Sequence, residues 1–245
     1  MTNLLNDMEH DFQAVPAPVE VHVAMLVFPG FTLLDLVGPQ TTLSFHTTVH
    51  LVAKTLEPVA SDSGIKLVPT CTFADCPQNV DVLFVPGGFG TADAMEDEET
   101  IAFLRDRGAR ARFVTSVCTG SLIQAAAGLL EGYEATTYWA HLDILRVLGA
   151  KPIAKRVVMD RGRISGGGVT AGIDFGLSLL AELRGDLTAR TMQLLMEYDP
   201  APPFDCGNPE DAGPEVAAQA KAALGDAVDL ARAAAYRIRA KAIAD

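Results

Sequence analysis

The chain has 245 residues, 49% apolar and 20% charged, which suits one large globular domain with a full core. Lys and Arg total 19 against 31 Asp and Glu, a formal net charge of −12; such a surface repels phosphate backbones and anionic lipid heads, so neither nucleic acid nor membrane is expected as a partner. Cys71, Cys76, Cys118 and Cys206 do not make a disulfide framework, no run approaches the ~18 apolar residues a membrane span needs, and the acidic N-terminus lacks the apolar stretch of a signal peptide, so a cytoplasmic location is expected.

Residues 1 to about 20 are polar and aperiodic and end in Pro16-Ala-Pro18, the composition of a flexible leader. VHVAMLVF (21–28) is a β-branched apolar run closed by Pro29-Gly30 and reads as a buried strand. A helix is expected over Leu34–Phe45, a short strand at His50–Ala53, a hairpin around Ser61–Val68 and a second buried strand at VDVLFVPGG (80–88). Glu96–Arg110 carries acids in its first turn and arginines in its last, which suits a helix macrodipole. RFVTSVC (112–118) is a third buried strand and runs directly into TGSLIQAAAGLL, a helix rich in Ala and Leu. Further β-like runs lie at Glu134–Thr137, Arg156–Met159 and Arg163–Ser165, followed by a long helical stretch over Val169–Glu197. Tyr198–Pro214 is a Pro-, Asp- and Gly-rich loop, and one final helix is expected from Glu215 to Ile243. Its apolar stripe, which includes Val216, Leu224, Val228, Ala231 and Ala235, packs on its own domain or embraces a partner subunit. Apolar strands alternating with helices predict a doubly wound α/β domain, its mostly parallel sheet covered on both faces. Residues 21–205 would form that domain and 206–245 a helical extension.

Three patterns carry chemistry. In Thr115-Ser-Val-Cys-Thr-Gly-Ser121 a strand ends, one reactive side chain occupies the turn, and a helix begins at once. This is nucleophile-elbow geometry, which pushes a side chain out of the sheet's carboxyl edge, where open α/β folds bind ligands. The helix N-terminus is expected to lower the thiol pKa of Cys118; a small inert residue filling the junction has the same pattern. In Val85-Pro-Gly-Gly-Phe89 adjacent glycines at a strand end can offer backbone N–H groups to an anion or can make a tight turn. In Leu33-Leu-Asp35-Leu-Val-Gly-Pro39 a carboxyl among leucines is either a raised-pKa acid or a helix N-cap. Of the five histidines none adjoins Cys118, although His141, in Trp139-Ala-His141, follows a strand and could line a pocket. No His/Cys pair at ligand spacing follows Cys71 and Cys76, so no metal centre is expected.

FPGFTLLDLVGP (28–39), FVPGGFG (84–90), FVTSVCTGSLIQAAAGLL (113–130), ATTYWAH (135–141) and GGGVTAGIDFGLSLLAE (166–182), taken in order, resemble the isocyanide hydratases, a branch of the ThiJ/PfpI superfamily. The resemblance spans about residues 21–205 and implies a flavodoxin-like, class I glutamine amidotransferase-like fold, usually dimeric. It implies hydration of an isocyanide to an N-substituted formamide through a cysteine thioimidate, with no cofactor. Cys118 then matches the nucleophile, Asp35 the acid beside it, and the backbone N–H groups of Thr119 and Gly88 the oxyanion pocket. Phe89, Tyr138 and Trp139 are expected to contact substrate; Tyr138 departs from the His that hydratase-like relatives often carry there. Other readings on the same scaffold are an amidase, a glyoxalase-like enzyme, or a redox- or ligand-sensing protein; a substrate panel separates the enzymes, and peroxide sensitivity measured beside turnover identifies a redox sensor.

Overall fold

A computed structural model describes residues 20–244; the expected leader lies outside them except for Glu20. In chain order the elements are β1 (His22–Leu26), α1 (Leu33–Leu43), β2 (Thr48–Ala53), β3 (Val59–Ala60), β4 (Lys66–Leu67), β5 (Cys71–Thr72), β6 (Val82–Val85), α2 (Thr91–Glu96), α3 (Glu98–Gly108), β7 (Phe113–Val117), α4 (Gly120–Ala126) and β8 (Glu134–Ala135). A 3-10 turn at Trp139–His141 leads into α5 (Leu142–Val147), β9 (Lys151–Pro152), β10 (Val157–Asp160), β11 (Arg163–Gly166), α6 (Ala171–Arg184), α7 (Asp186–Leu195), α8 (Pro209–Ala223) and α9 (Ala227–Ala244).

The central sheet runs β10-β11-β7-β6-β1-β2-β5. Every neighbouring pair is parallel except β10 with β11. This is the flavodoxin-like α/β architecture that the alternating pattern predicts. β6 and β7 are buried at every residue, as β1 is beyond His22, because helices cover both faces and neither face can then be polar. α1 packs with α6; α4 packs with α2, α3 and α5. The strand order reverses beside β1, with β2 to one side and β6 to the other. The crevice at the carboxyl ends of β1 and β6 is therefore the place where such a sheet holds a ligand.

Several expected boundaries shift. The hairpin forms as β3 paired antiparallel with β4, and β5 joins the sheet edge unannounced by its sequence. The expected helix Glu96–Arg110 begins instead at Glu98, where the Asp97 carboxylate accepts the Thr100 N–H, and the extra helix α2 precedes it. The single stretch Val169–Glu197 is two helices, α6 and α7, because Gly185 turns into the left-handed region at φ +86°. The single C-terminal helix is also two, α8 and α9. Their stripes diverge: α8 buries none of its residues, whereas Val228, Ala231, Ala234 and Ala235 of α9 are buried, and α9 packs on α2 and α5. Among the described residues no helix is long and apolar enough to cross a membrane.

Candidate active site

The end of β7 places Cys118 in a strained backbone conformation, φ +56°. A left-handed non-glycine residue costs on the order of 1–3 kcal/mol and persists only where its surroundings hold it. Here the hold is explicit. The Cys118 N–H donates to the carbonyls of Gly166 (3.0 Å) and Gly167 (2.7 Å). Its own carbonyl accepts the hydroxyls of Ser121 (3.2 Å) and Thr137 (3.0 Å). The turn also requires Gly120: a Cβ there would lie 2.1 Å from the Val85 carbonyl oxygen and 2.7 Å from that of Pro86. Both obstacles are backbone and cannot rotate away. Gly120→Ala is therefore expected to lower stability by roughly 1–3 kcal/mol, the scale of an overpacked core, as a reduced midpoint in chemical denaturation.

Asp35 is fully buried. It is the third residue of α1, whose N-cap is Thr32, so the capping alternative does not apply. One carboxylate oxygen, Oδ2, accepts the Gly87 N–H at 2.9 Å. The other, Oδ1, is buried without a hydrogen-bond partner, and the Cys118 thiol interacts with the same carboxyl. Burial, opposed by the Gly87 N–H and the thiol, pushes the Asp35 pKa up to about 7.

The expectation of a lowered thiol pKa fails. Burial first, then the nearby charge of Asp35, pushes the Cys118 thiol well above its ordinary range, and the opposing Thr119 N–H is the weaker influence. Desolvation outweighs the end of a seven-residue helix. Two acids this close do not both ionise near neutrality, so Cys118 and Asp35 share one proton over a wide pH range.

Thr119 sits in a closed ring of hydrogen bonds. Gly88 N–H donates to Thr119 Oγ1 (3.0 Å), the Thr119 and Thr91 hydroxyl oxygens lie 2.7 Å apart, and Thr91 Oγ1 donates to the Gly88 carbonyl (2.7 Å). A backbone N–H only donates and a carbonyl only accepts, so the direction around the ring is fixed and Thr119 gives its proton to Thr91. The Gly88 N–H is thereby committed to the Thr119 hydroxyl. It is not open to an oxyanion as the glycine pair suggested, and of the two expected donors the Thr119 N–H is the one that acts on the sulfur.

Cys118 opens into a cavity of about 230 Å³. Gly88, Phe89, Thr119, Tyr138 and His141 line it with Thr32, Asp62, Thr91, Ala92 and Val169, and the C-terminal segment closes it with Leu224, Ala227 and Ala231. Phe89 and Tyr138 are thus brought to the site. Trp139 is not: it packs against the Tyr138 ring, centroids 5.8 Å apart, outside the lining. His141 is buried in the wall beside Tyr138. Sequence reasoning missed Thr32, Asp62, Thr91 and the α9 residues; the small-residue spacing of Ala227 and Ala231 was the available signal, but it does not say which face they meet. Among the described residues no group of three or more His, Cys, Asp or Glu could hold a metal ion.

Comparison with known proteins agrees with this architecture. The model of the DJ-1/PfpI family matches residues 21–182. The isonitrile hydratase of Pseudomonas putida is 52% identical over 203 residues, covering 82% of this chain and 89% of that protein. The crystal structure of a ThiJ/PfpI family protein from Pseudomonas syringae superposes with a TM-score of 0.87 at 49% identity, covering 94% of this chain and 96% of that one. The HTH-type transcriptional regulator GbdR of Pseudomonas aeruginosa is 26% identical over 185 residues, which make up 71% of this chain and 50% of the regulator.

Proposed function

The chain belongs to the DJ-1/PfpI family, and from that premise we infer that it is an isonitrile hydratase, converting isocyanides to N-substituted formamides. The observation that carries the chemistry is a fully buried Asp35 carboxyl against the Cys118 thiol, which itself lines a small, largely apolar cavity. An isocyanide carbon bears a lone pair and accepts a nucleophile only as it is protonated. The Cys118–Asp35 pair supplies both needs. The sulfur–carbon bond forms, the shared proton passes from Asp35 to the same carbon, and a thioimidate on Cys118 results. Asp35, now ionised, takes one proton from the attacking water, and the proton left on the added hydroxyl passes to the substrate nitrogen. The carbon–sulfur bond then breaks, the sulfur regains its proton, and the formamide leaves. Atoms and charge balance with water as the one co-reactant. The Thr119 N–H steadies the thiolate as it forms.

Residues 21–205 make up the catalytic domain in this reading, and the 206–245 extension closes its pocket. Location in the cytoplasm and a homodimeric state complete the proposal. Support for self-association comes from Leu187, Leu194 and Leu195 of α7 and from Phe204, each more than 70% exposed.

The purified protein should turn cyclohexyl isocyanide into N-cyclohexylformamide without added cofactor, followed by chromatography of the product. Failure on small, bulky, alkyl and aryl isocyanides alike would remove the substrate assignment. The pocket wall gives a sharper expectation. Ala231 lines the cavity from α9, so Ala231→Leu fills space that a large substrate needs. Its KM for aryl and cyclohexyl isocyanides should rise roughly tenfold or more, the scale of losing one or two buried methylene contacts, while methyl isocyanide is turned over as before. Equal KM changes for both sizes would show that this wall does not meet the substrate.

A further inference from the structure

Among the described residues that line the cavity, Asp62 alone carries a formal charge near neutral pH. No Lys or Arg stands in the wall. Burial holds the His141 pKa down to about 4, so that ring is neutral. The Asp62 carboxylate is held in place. Its N–H donates to the Phe31 carbonyl (2.9 Å), and its Oδ2 accepts the hydroxyl of Thr32, another lining residue. Asp62 is exposed and Cys118 is buried, so the charge stands on the solvent side of the cavity and the sulfur at its inner end. The charge is also felt at the reacting pair: burial raises the Asp35 pKa most, and Asp62 adds to it. Two aromatic rings, Phe89 and Tyr138, share the wall with this carboxylate. A carboxylate beside aromatic faces is a setting that attracts organic cations.

We propose that Asp62 is the specificity determinant of this cavity, favouring isocyanides whose substituent carries a positive charge, such as a quaternary ammonium, and rejecting those that carry a carboxylate. The proposal rests on the hydratase reading above and names the substrate class of the same site. An isocyanide is linear at nitrogen. With its terminal carbon at the sulfur of Cys118, the substituent points away from the inner end and toward the open side, where Asp62 stands. A cation there meets the carboxylate and the faces of Phe89 and Tyr138. An anion there meets a like charge and no Lys or Arg to pair with it. The formal net charge of −12 adds a longer-range field of the same sign. The charge on the substituent does not change as the carbon reacts, so its interaction with Asp62 is equal in ground and transition states. It is therefore read in KM and not in kcat.

The test uses substrates paired to separate charge from shape. Trimethylammonioethyl isocyanide is compared with neohexyl isocyanide, its uncharged isostere, and isocyanoacetate with its methyl ester. In the wild type KM should be roughly fivefold or more lower for the cation than for its isostere, and higher by a similar factor for the carboxylate than for the ester, the scale of one partly screened charge pair. Asp62→Asn keeps an oxygen that can accept the Thr32 hydroxyl and removes the charge, so both KM ratios should shrink toward one. Asp62→Glu should restore them. Raising salt from about 0.01 M to about 1 M, which shortens the screening length from about 30 Å to about 3 Å, should compress the wild-type ratios and leave those of the Asn variant as they are. Equal KM values within each pair, or ratios that survive in folded Asp62→Asn, would overturn the proposal and leave the hydratase reading intact. If the Asn variant does not fold, the wild-type salt series decides alone, and ratios that ignore salt overturn the proposal. A wild type that hydrates none of the four compounds, nor cyclohexyl isocyanide, would overturn the hydratase reading and this proposal with it.

Discussion

Cys118→Ser is expected to fold and to lose isocyanide hydration by roughly 10⁴-fold or more, the scale seen when a covalent nucleophile is removed. The substitution exchanges sulfur for a smaller oxygen at a position whose backbone is held by contacts that Ser keeps: two carbonyls on its N–H and two hydroxyls on its carbonyl. Stability should therefore change little. Reactivity should change greatly, because a serine hydroxyl ionises far less readily than a thiol and needs a dedicated base to attack. Asp35 cannot take that role efficiently; at a pKa of about 7 it lies far below what an alkoxide requires. Circular dichroism should match wild type, formamide production should be nearly absent, and rapid-quench mass spectrometry should find no adduct on the peptide holding residue 118. Hydration by the Ser variant at the wild-type rate would rule out the covalent route.

Asp35→Asn should lose a hundredfold or more in turnover, the usual contribution of a general acid and base. Asn keeps the shape, and its side-chain carbonyl can still accept the Gly87 N–H that Oδ2 now takes at 2.9 Å. It cannot surrender and regain a proton. Wild-type kcat/KM should rise with pH through about 7, as the pair goes from two protons to one; it should fall again only at alkaline pH, when the thiol also ionises. The Asn variant should lack the lower limb. Stability gives an independent reading with a defined sign. The folded pKa of Asp35 is raised from 3.8 to about 7, so the folded state holds the proton more tightly than the unfolded chain. Its contribution is fully present below about pH 4 and is lost as pH rises through 7. The wild type should therefore weaken over that window, relative to Asp35→Asn, by a few kcal/mol in order of magnitude. Denaturation midpoints of the two proteins at pH 5 and pH 8 measure it, and parallel midpoints would return Asp35 to a purely structural place.

The parts of the molecule readable along the chain are those whose cause is local. Apolar β-branched runs at 21–28, 80–88 and 112–118 marked the three central strands, because a strand covered on both faces tolerates no polar side. The elbow at Cys118 was legible because a strand, one small reactive residue, Thr119 and Gly120 leave the chain few ways to turn, and Gly120 proves to lie against the end of β6. Asp35 announced itself by its leucine neighbours. Boundaries set by weak local signals went astray: Val169–Glu197 read as one helical stretch, yet the positive φ of Gly185 ends α6.

What no local pattern held is the company each residue keeps. Asp62, Thr91, His141 and Ala231 come from four separate segments and meet at one cavity only because β1, β6 and β7 end side by side and α9 folds back over them. The direction of the Cys118 pKa was misread for the same reason. A helix N-terminus is a neighbour in sequence and can be seen there; the burial that overrides it, and the Asp35 carboxyl that reinforces it, lie 83 positions and several elements away along the chain. Propensity and period act between near neighbours and are written in the chain, whereas desolvation depends on everything packed around a group and exists only once the chain has folded.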